Sequence, residues 1–129
     1  MAQTTKLPPE GRSDPISREM LVQAALQEIT QNYREASLSN VARSYGVSLA
    51  YVSECVRAQT GKTYKELLQK HRMETAARLL RRSELNIQQI ISMVGYENTS
   101  YFYRLFHERY GLSPREYRMV RAARPRTTA

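Results

Sequence analysis

The sequence predicts an all-α fold class, with about seven helices arranged as two similar subdomains joined by a long central helix. Three observations carry that expectation. Apolar residues recur at helical spacing, and no segment alternates apolar and polar residues between hairpin turn signals. Several helix starts are marked by polar pairs spaced three residues apart. A pattern of apolar and glycine positions occurs twice, about 50 residues apart.

Residues 1–15, MAQTTKLPPEGRSDP, hold three of the five prolines and only Leu7 as a large apolar residue after Met1, which predicts a flexible lead-in or interdomain linker. A first helix from about Ser17 carries Val22, Ala25, Leu26, Ile29 and Tyr33 on one buried stripe. Shorter helices are expected at about 38–45, 48–60, 87–94, 98–110 and 114–123, and a long one at about 63–82. Thr63-x-x-Glu66, Asn86-x-x-Gln89 and Ser113-x-x-Glu116 each match the capping box, in which two side chains satisfy amides that a first helical turn leaves without partners. Gly61 and Gly111 follow helices where a left-handed residue closes a C-terminus at little steric cost. The expected organisation is a lead-in at 1–15, a first subdomain at 16–62, a linker helix at 63–82, a second subdomain at 83–124 and a frayed tail at 125–129.

Within LSNVARSYGVSLAYVSECVR, Val41, Ala42, Gly46, Val47, Val52 and Cys55 have the spacing of a helix-turn-helix. Ala42 permits close helix approach and Gly46 takes the left-handed turn, while Val41, Tyr45, Val47, Val52 and Cys55 form a small core. Ile90, Ile91, Gly95 and Tyr96 repeat Val41, Ala42, Gly46 and Val47 at an offset of 49. Phe102, Leu105 and Phe106 then repeat Val52, Cys55 and Val56 at an offset of 50, so the second turn is one residue longer. GKTYKEL at 61–67 matches GLSPREY at 111–117 in the same register. A helix over 63–82 would be about 27–30 Å long, which approaches the roughly 34 Å between successive major grooves on one face of DNA.

The chain has 129 residues, too few for a large catalytic core, and a net charge of +8, which favours a polyanionic partner. Residues 1–62 carry 7 basic and 6 acidic side chains and residues 63–129 carry 13 and 6, so the second half is expected to supply most non-specific attraction. The single Cys55 excludes an intramolecular disulfide, and its inward phase predicts a core residue rather than a redox sensor. His71 and His107 lack partners at metal-ligand spacing, and no cofactor is expected. Tyr45, Tyr64, Tyr96 and Tyr117 occupy packing positions, and the run Arg78, Arg81, Arg82 reads equally as solvated helix face. No nucleophile–base pair or phosphate-cradling glycine loop is present, so an enzyme is not expected. No apolar run is long enough for a membrane span and no secretion signal opens the chain, which predicts a cytoplasmic location without membrane partners.

Residues 17–120 resemble the DNA-binding domain of the AraC/XylS family of bacterial transcription regulators. The resemblance is densest over 72–118, at Arg72, Ala76, Ile87, Ile90, Val94-Gly95-Tyr96, Tyr101-Phe102, Arg104, Phe106, Tyr110-Gly111, Ser113-Pro114 and Tyr117. It implies sequence-specific binding of double-stranded DNA by a transcription activator, with one recognition helix per subdomain in successive major grooves. With Val52, Cys55 and Val56 inward, Ala50, Ser53, Glu54 and Arg57 face outward on the first recognition helix. On the second, Phe102, Leu105 and Phe106 leave Thr99, Ser100, Tyr103, Arg104 and His107 outward. The resemblance puts base contacts on Ala50, Ser53, Glu54, Thr99, Ser100, Tyr103 and Arg104. Ser48, Arg57, Lys62, Asn98 and His107 are the expected phosphate contacts, with ordinary helix capping the competing role for Ser48 and Asn98. Arg104 suits bidentate donation to guanine, whereas Glu54 repels phosphate and suits at best a cytosine amine. The same scaffold as a protein- or RNA-interaction module is the alternative. RNA polymerase is a further expected partner of an activator, and the proline-rich lead-in is expected to follow an N-terminal sensor or dimerisation domain, as in many relatives.

Overall fold

The computed structural model describes residues 16–123, with side chains to Val120. The expected lead-in at 1–15 and tail at 125–129 lie outside the described residues. Seven helices and no strand are found among those described: α1 (Arg18–Gln31), α2 (Leu38–Tyr45), α3 (Leu49–Thr60), α4 (Tyr64–Arg82), α5 (Ile87–Val94), α6 (Thr99–Tyr110) and α7 (Pro114–Ala123). They form two compact units that divide between Gln69 and Lys70, inside α4.

In the first unit, α1 begins after Ser17, whose hydroxyl accepts from the Met20 amide. Its buried stripe is Leu21, Val22, Ala25 and Ile29, with Leu26 half-buried. The helix ends at Gln31, so the expected extension of the stripe to Tyr33 is corrected: Tyr33 stands in the turn that follows. Side-chain competition with the helical ladder accounts for this stop. The Thr30 hydroxyl donates back to the Leu26 and Gln27 carbonyls, and the Glu28 carboxylate accepts from the Asn32 amide group and from the Ser37 backbone, nine residues on. Val41 and Ala42 of α2 and Val52, Cys55 and Val56 of α3 close the core, with Tyr64 of α4 beneath and Tyr45, Val47, Leu67 and Leu68 packed at its edge. Cys55 is a buried free thiol in this core.

In the second unit Met73, Ala76, Ala77 and Leu80 of α4 pack with Ile90, Ile91 and Val94 of α5, Tyr96, Phe102 and Phe106 of the next turn and helix, and Tyr117 of α7. Phe106 is the aromatic hub, its ring 5.8 Å from Phe102, 4.6 Å from Tyr110 and 5.4 Å edge-on from Tyr117. Two arginines of the basic surplus are tied into this unit. Arg118 of α7 donates to the Leu80 and Ser83 carbonyls at 3.0 and 3.1 Å, satisfying acceptors that the end of α4 leaves without helical partners. Arg81 donates to the Tyr117 hydroxyl at 3.0 Å, so it does more than solvate a helix face.

The boundaries follow the chemical marks. All three capping boxes form, with both reciprocal bonds present at Thr63–Glu66, Asn86–Gln89 and Ser113–Glu116. The tight turns between α2 and α3 and between α5 and α6 hinge on Gly46 at φ 66° and Gly95 at φ 105°, a region that costs an L side chain. Three residues separate α2 from α3 and four separate α5 from α6, the one-residue difference that the repeat requires.

Candidate nucleic-acid interface

Each unit presents the second helix of its helix-turn-helix, α3 or α6, with one face packed and the other open. In α3 the inward residues Val52, Cys55 and Val56 are almost wholly buried, which turns Ala50, Glu54 and Arg57 to solvent and leaves Ser53 half-buried. Ser48 is the N-cap, accepting from the Tyr51 amide at 3.0 Å. Lys62 is exposed beyond the helix, its backbone amide donating to the Thr60 hydroxyl. The outward face of α3 thus carries one acid and one base.

In α6, Phe102 and Phe106 are fully buried, while Leu105 is half-buried rather than fully inward. Ser100, Arg104 and His107 are exposed, and Thr99 and Tyr103 half-exposed. Asn98 is the N-cap, accepting from the Tyr101 amide at 2.8 Å. A helix start held this way keeps its first amides directed out of the N-terminus, the geometry that favours anions.

Two side chains already engage the groups that define this face. The Thr99 hydroxyl lies 3.2 Å from the Gln88 side-chain oxygen of α5 and donates to it, which leaves the Thr99 oxygen as an acceptor toward solvent. The Arg104 guanidinium stands 5.1 Å from the centroid of the Tyr101 ring and 3.9 Å from the Glu108 carboxylate. Sequence reasoning missed Gln88 as a support for Thr99, because nothing in the spacing of 11 residues signals the contact. It also missed the ring under the Arg104 guanidinium, although Tyr51 and Tyr101 recur at the repeat offset.

Nearby, the Arg72 guanidinium lies 5.1 Å over the Tyr96 ring. Burial raises the Tyr96 phenol above its ordinary range, with the Arg72 charge opposing, so the phenol stays protonated at neutral pH. The described residues contain no cluster of three or more His, Cys, Asp or Glu able to hold a metal ion, and no helix among them is long and apolar enough to cross a membrane.

A family model described as a helix-turn-helix domain matches residues 41–119, spanning both turns and both outward helices. The chain belongs to the AraC/XylS family. The C-terminal domain of AraT, a response regulator from Geobacillus stearothermophilus, is 35% identical with a TM-score of 0.74, the match covering 84% of this chain and 91% of that one. The C-terminal domain of the response regulator yesN from Fusobacterium nucleatum is 29% identical with a TM-score of 0.67, covering 78% and 96%. Among curated relatives, the HTH-type transcriptional activator RhaR of Mannheimia succiniciproducens is 31% identical over 106 residues, 82% of this chain and 37% of RhaR. The transcriptional activator NphR of a Rhodococcus species is 34% identical over 96 residues, 73% of this chain and 28% of NphR. The AraC/XylS chain described here therefore spans between a quarter and two fifths of these two activators. It is an AraC-type DNA-binding domain with the all-α, two-unit fold of that family.

Proposed function

We propose that this AraC/XylS domain binds double-stranded DNA sequence-specifically as part of a bacterial transcription regulator, with α3 and α6 each entering a major groove and the two grooves successive along the duplex. Membership of the family supports DNA as the ligand, and the names of RhaR and NphR support an activator. The observation that carries the reading to particular residues is the outward face of α6. There an exposed Arg104 stands on a helix whose opposite face is locked into an aromatic core.

On this reading Ala50, Ser53, Glu54, Thr99, Ser100, Tyr103 and Arg104 meet base edges. Ser48, Arg57, Lys62, Asn98 and His107 meet phosphates, the two N-caps through the first-turn amides that they hold in place. Arg104 donates two hydrogen bonds to guanine O6 and N7, exchanging its weak contact with Glu108 for them. The Thr99 oxygen, with its proton committed to Gln88, accepts from an exocyclic amine of adenine or cytosine. An activator also contacts RNA polymerase, and the shorter span of this chain than of its relatives fits a regulator with a separate sensor or dimerisation domain.

Selection of bound duplexes from a random pool, followed by affinity measurements on the selected sequence and on random DNA, tests the proposal. Wild type should prefer the selected duplex, and Arg104→Ala should lose most of that preference, on the scale of about 1–3 kcal/mol for a lost bidentate base contact. Equal binding of both proteins to both duplexes would refute specific readout by Arg104. Salt-insensitive capture of a protein or of single-stranded RNA, with no affinity for duplex DNA, would favour an interaction module instead.

A further inference from the structure

The recognition helices of the two units share an aromatic ring that carries a guanidinium, but the guanidinium comes from different places. In the second unit Tyr101 precedes Arg104 by three residues, and the ring and cation belong to one helix. Fifty residues earlier Tyr51 holds the equivalent place in α3, and the residue equivalent to Arg104 is Glu54. The Tyr51 ring is nevertheless covered by a cation: Arg18, the first residue of α1, brings its guanidinium carbon to 5.8 Å from the ring centroid. Both distances lie inside the roughly 6 Å reach of cation–π attraction.

We propose that Arg18 is a DNA phosphate contact of the first unit, held on Tyr51 at the flank of α3 and supplying the positive charge that Glu54 denies that helix. This rests on the DNA-binding function proposed above. The outward residues of α3 sum to no net charge, since Glu54 opposes Arg57, and a neutral face gains nothing from releasing counterions along a duplex. Arg18 makes the surface net positive. Tyr51 is 39% exposed, and the Arg18 that lies over its ring is itself exposed, so the pair stands at the surface. Among the described residues no carboxylate forms an ion pair with Arg18. A cation–π contact holds a guanidinium beside the ring while leaving N–H groups available to a phosphate oxygen. Because Arg18 projects from α1 rather than from α3, it stands beside the residues aimed at base edges. A phosphate at the groove margin is therefore its target.

Duplex binding is measured by fluorescence anisotropy across about 50 to 200 mM salt, on a selected sequence and on random DNA, for wild type, Arg18→Ala, Arg18→Lys, Tyr51→Phe and Tyr51→Leu. Arg18→Ala should weaken both duplexes by about two- to fivefold, the scale of one exposed ion pair. It should also lower the slope of log affinity against log salt by about 0.9, the signature of one lost phosphate contact. Arg18→Lys and Tyr51→Phe should retain the wild-type slope, and Tyr51→Leu should fall between wild type and Arg18→Ala in affinity, since the cation remains but its platform is gone. An Arg18→Ala protein with the wild-type salt slope overturns the proposal, leaving a surface stack only. So does a loss confined to the selected duplex, which would mark a base contact. A wild-type protein that binds neither duplex overturns the DNA reading itself and this inference with it, so the two failures are distinguishable.

Discussion

At the scale of single residues, the chemistry of the outward faces is set as much by neighbouring side chains as by the outward residues themselves. Arg104 is exposed, yet it is neither a free cation nor a committed ion pair. At 3.9 Å and with both side chains more than 60% exposed, its contact with Glu108 is weak and easily exchanged. The carboxylate still matters to a polyanion, because it sits one helical turn from the proposed base contact. Glu108→Gln should therefore tighten binding to random duplex by about two- to fivefold at low salt, with the gain shrinking as salt screens the added charge. Titration of random DNA at two salt concentrations checks this. An affinity equal to wild type at both would place Glu108 clear of the phosphates. The ring under Arg104 was legible in principle, since Tyr51 and Tyr101 repeat in register, but which cation covers Tyr51 was not. Arg18 lies 33 positions away in the chain, and only the packing of α1 against α3 brings it there.

At the scale of elements, helix boundaries were legible to within about a residue because their ends are written in local chemistry. Ser48 and Asn98 cap α3 and α6, the three capping boxes start α4, α5 and α7, and Gly61 and Gly111 close α3 and α6, just ahead of α4 and α7, at φ 79° and 76°. The end of α1 was not legible, because the Glu28–Ser37 bond that helps to fix the following turn spans nine residues and leaves no periodic trace. The role of Arg118 was hidden for the same reason: its acceptors, Leu80 and Ser83, are 38 and 35 residues away. Two partly buried hydrogen bonds from a charged donor hold the end of α4 against α7, and hydrogen bonds to charged groups contribute about 1.5–3 kcal/mol each before desolvation of the partners left behind is counted. Arg118→Ala should lower unfolding stability by about 2–3 kcal/mol, read as a fall in the urea midpoint with an unchanged denaturant slope. It should leave the salt slope of DNA binding untouched, since this arginine is spent on carbonyls rather than phosphates. A lowered salt slope with normal stability would reverse that assignment.

At the scale of the whole molecule, two groups with lowered pKa values make stability depend on pH. Burial chiefly, with the Arg78 charge, lowers His71 below its ordinary value of 6.5, while Glu74 opposes and Lys70 adds to the lowering. The bonds from the Ser113 backbone and hydroxyl hold Glu116 below 4.5. In both cases the unfolded chain binds more protons than the folded one between the two pKa values, so stability rises with pH. The histidine contribution is fully present above 6.5 and is lost as pH falls toward its depressed folded value; that of Glu116 is present above 4.5 and is lost as pH falls further. Unfolding midpoints should therefore decline in two stages on acidification. His71→Gln should flatten the upper stage and Glu116→Gln, which keeps a capping amide, the lower; a single decline unaffected by either variant would contradict the assignment.

Charge divides the molecule unequally, and on the proposed reading it favours the second unit in binding. Residues 63–129 carry 13 of the 20 basic side chains against 6 acidic ones. Two of those arginines have donors committed within the unit, Arg81 to Tyr117 and Arg118 to the end of α4. What remains on α6 is still richer than α3, where Ala50 and Ser53 offer little to hydrogen-bond and Glu54 cancels Arg57. Arg104→Ala should therefore cost more affinity for the selected duplex than Ser53→Ala and Arg57→Ala combined, by about 1 kcal/mol or more if the lost contact is bidentate. Most of the Arg57 loss should appear equally on random DNA, because a phosphate contact carries no sequence information. Binding isotherms for the three variants on both duplexes make the comparison, and a larger sequence-dependent loss from Ser53 and Arg57 than from Arg104 would move the centre of specificity to the first unit.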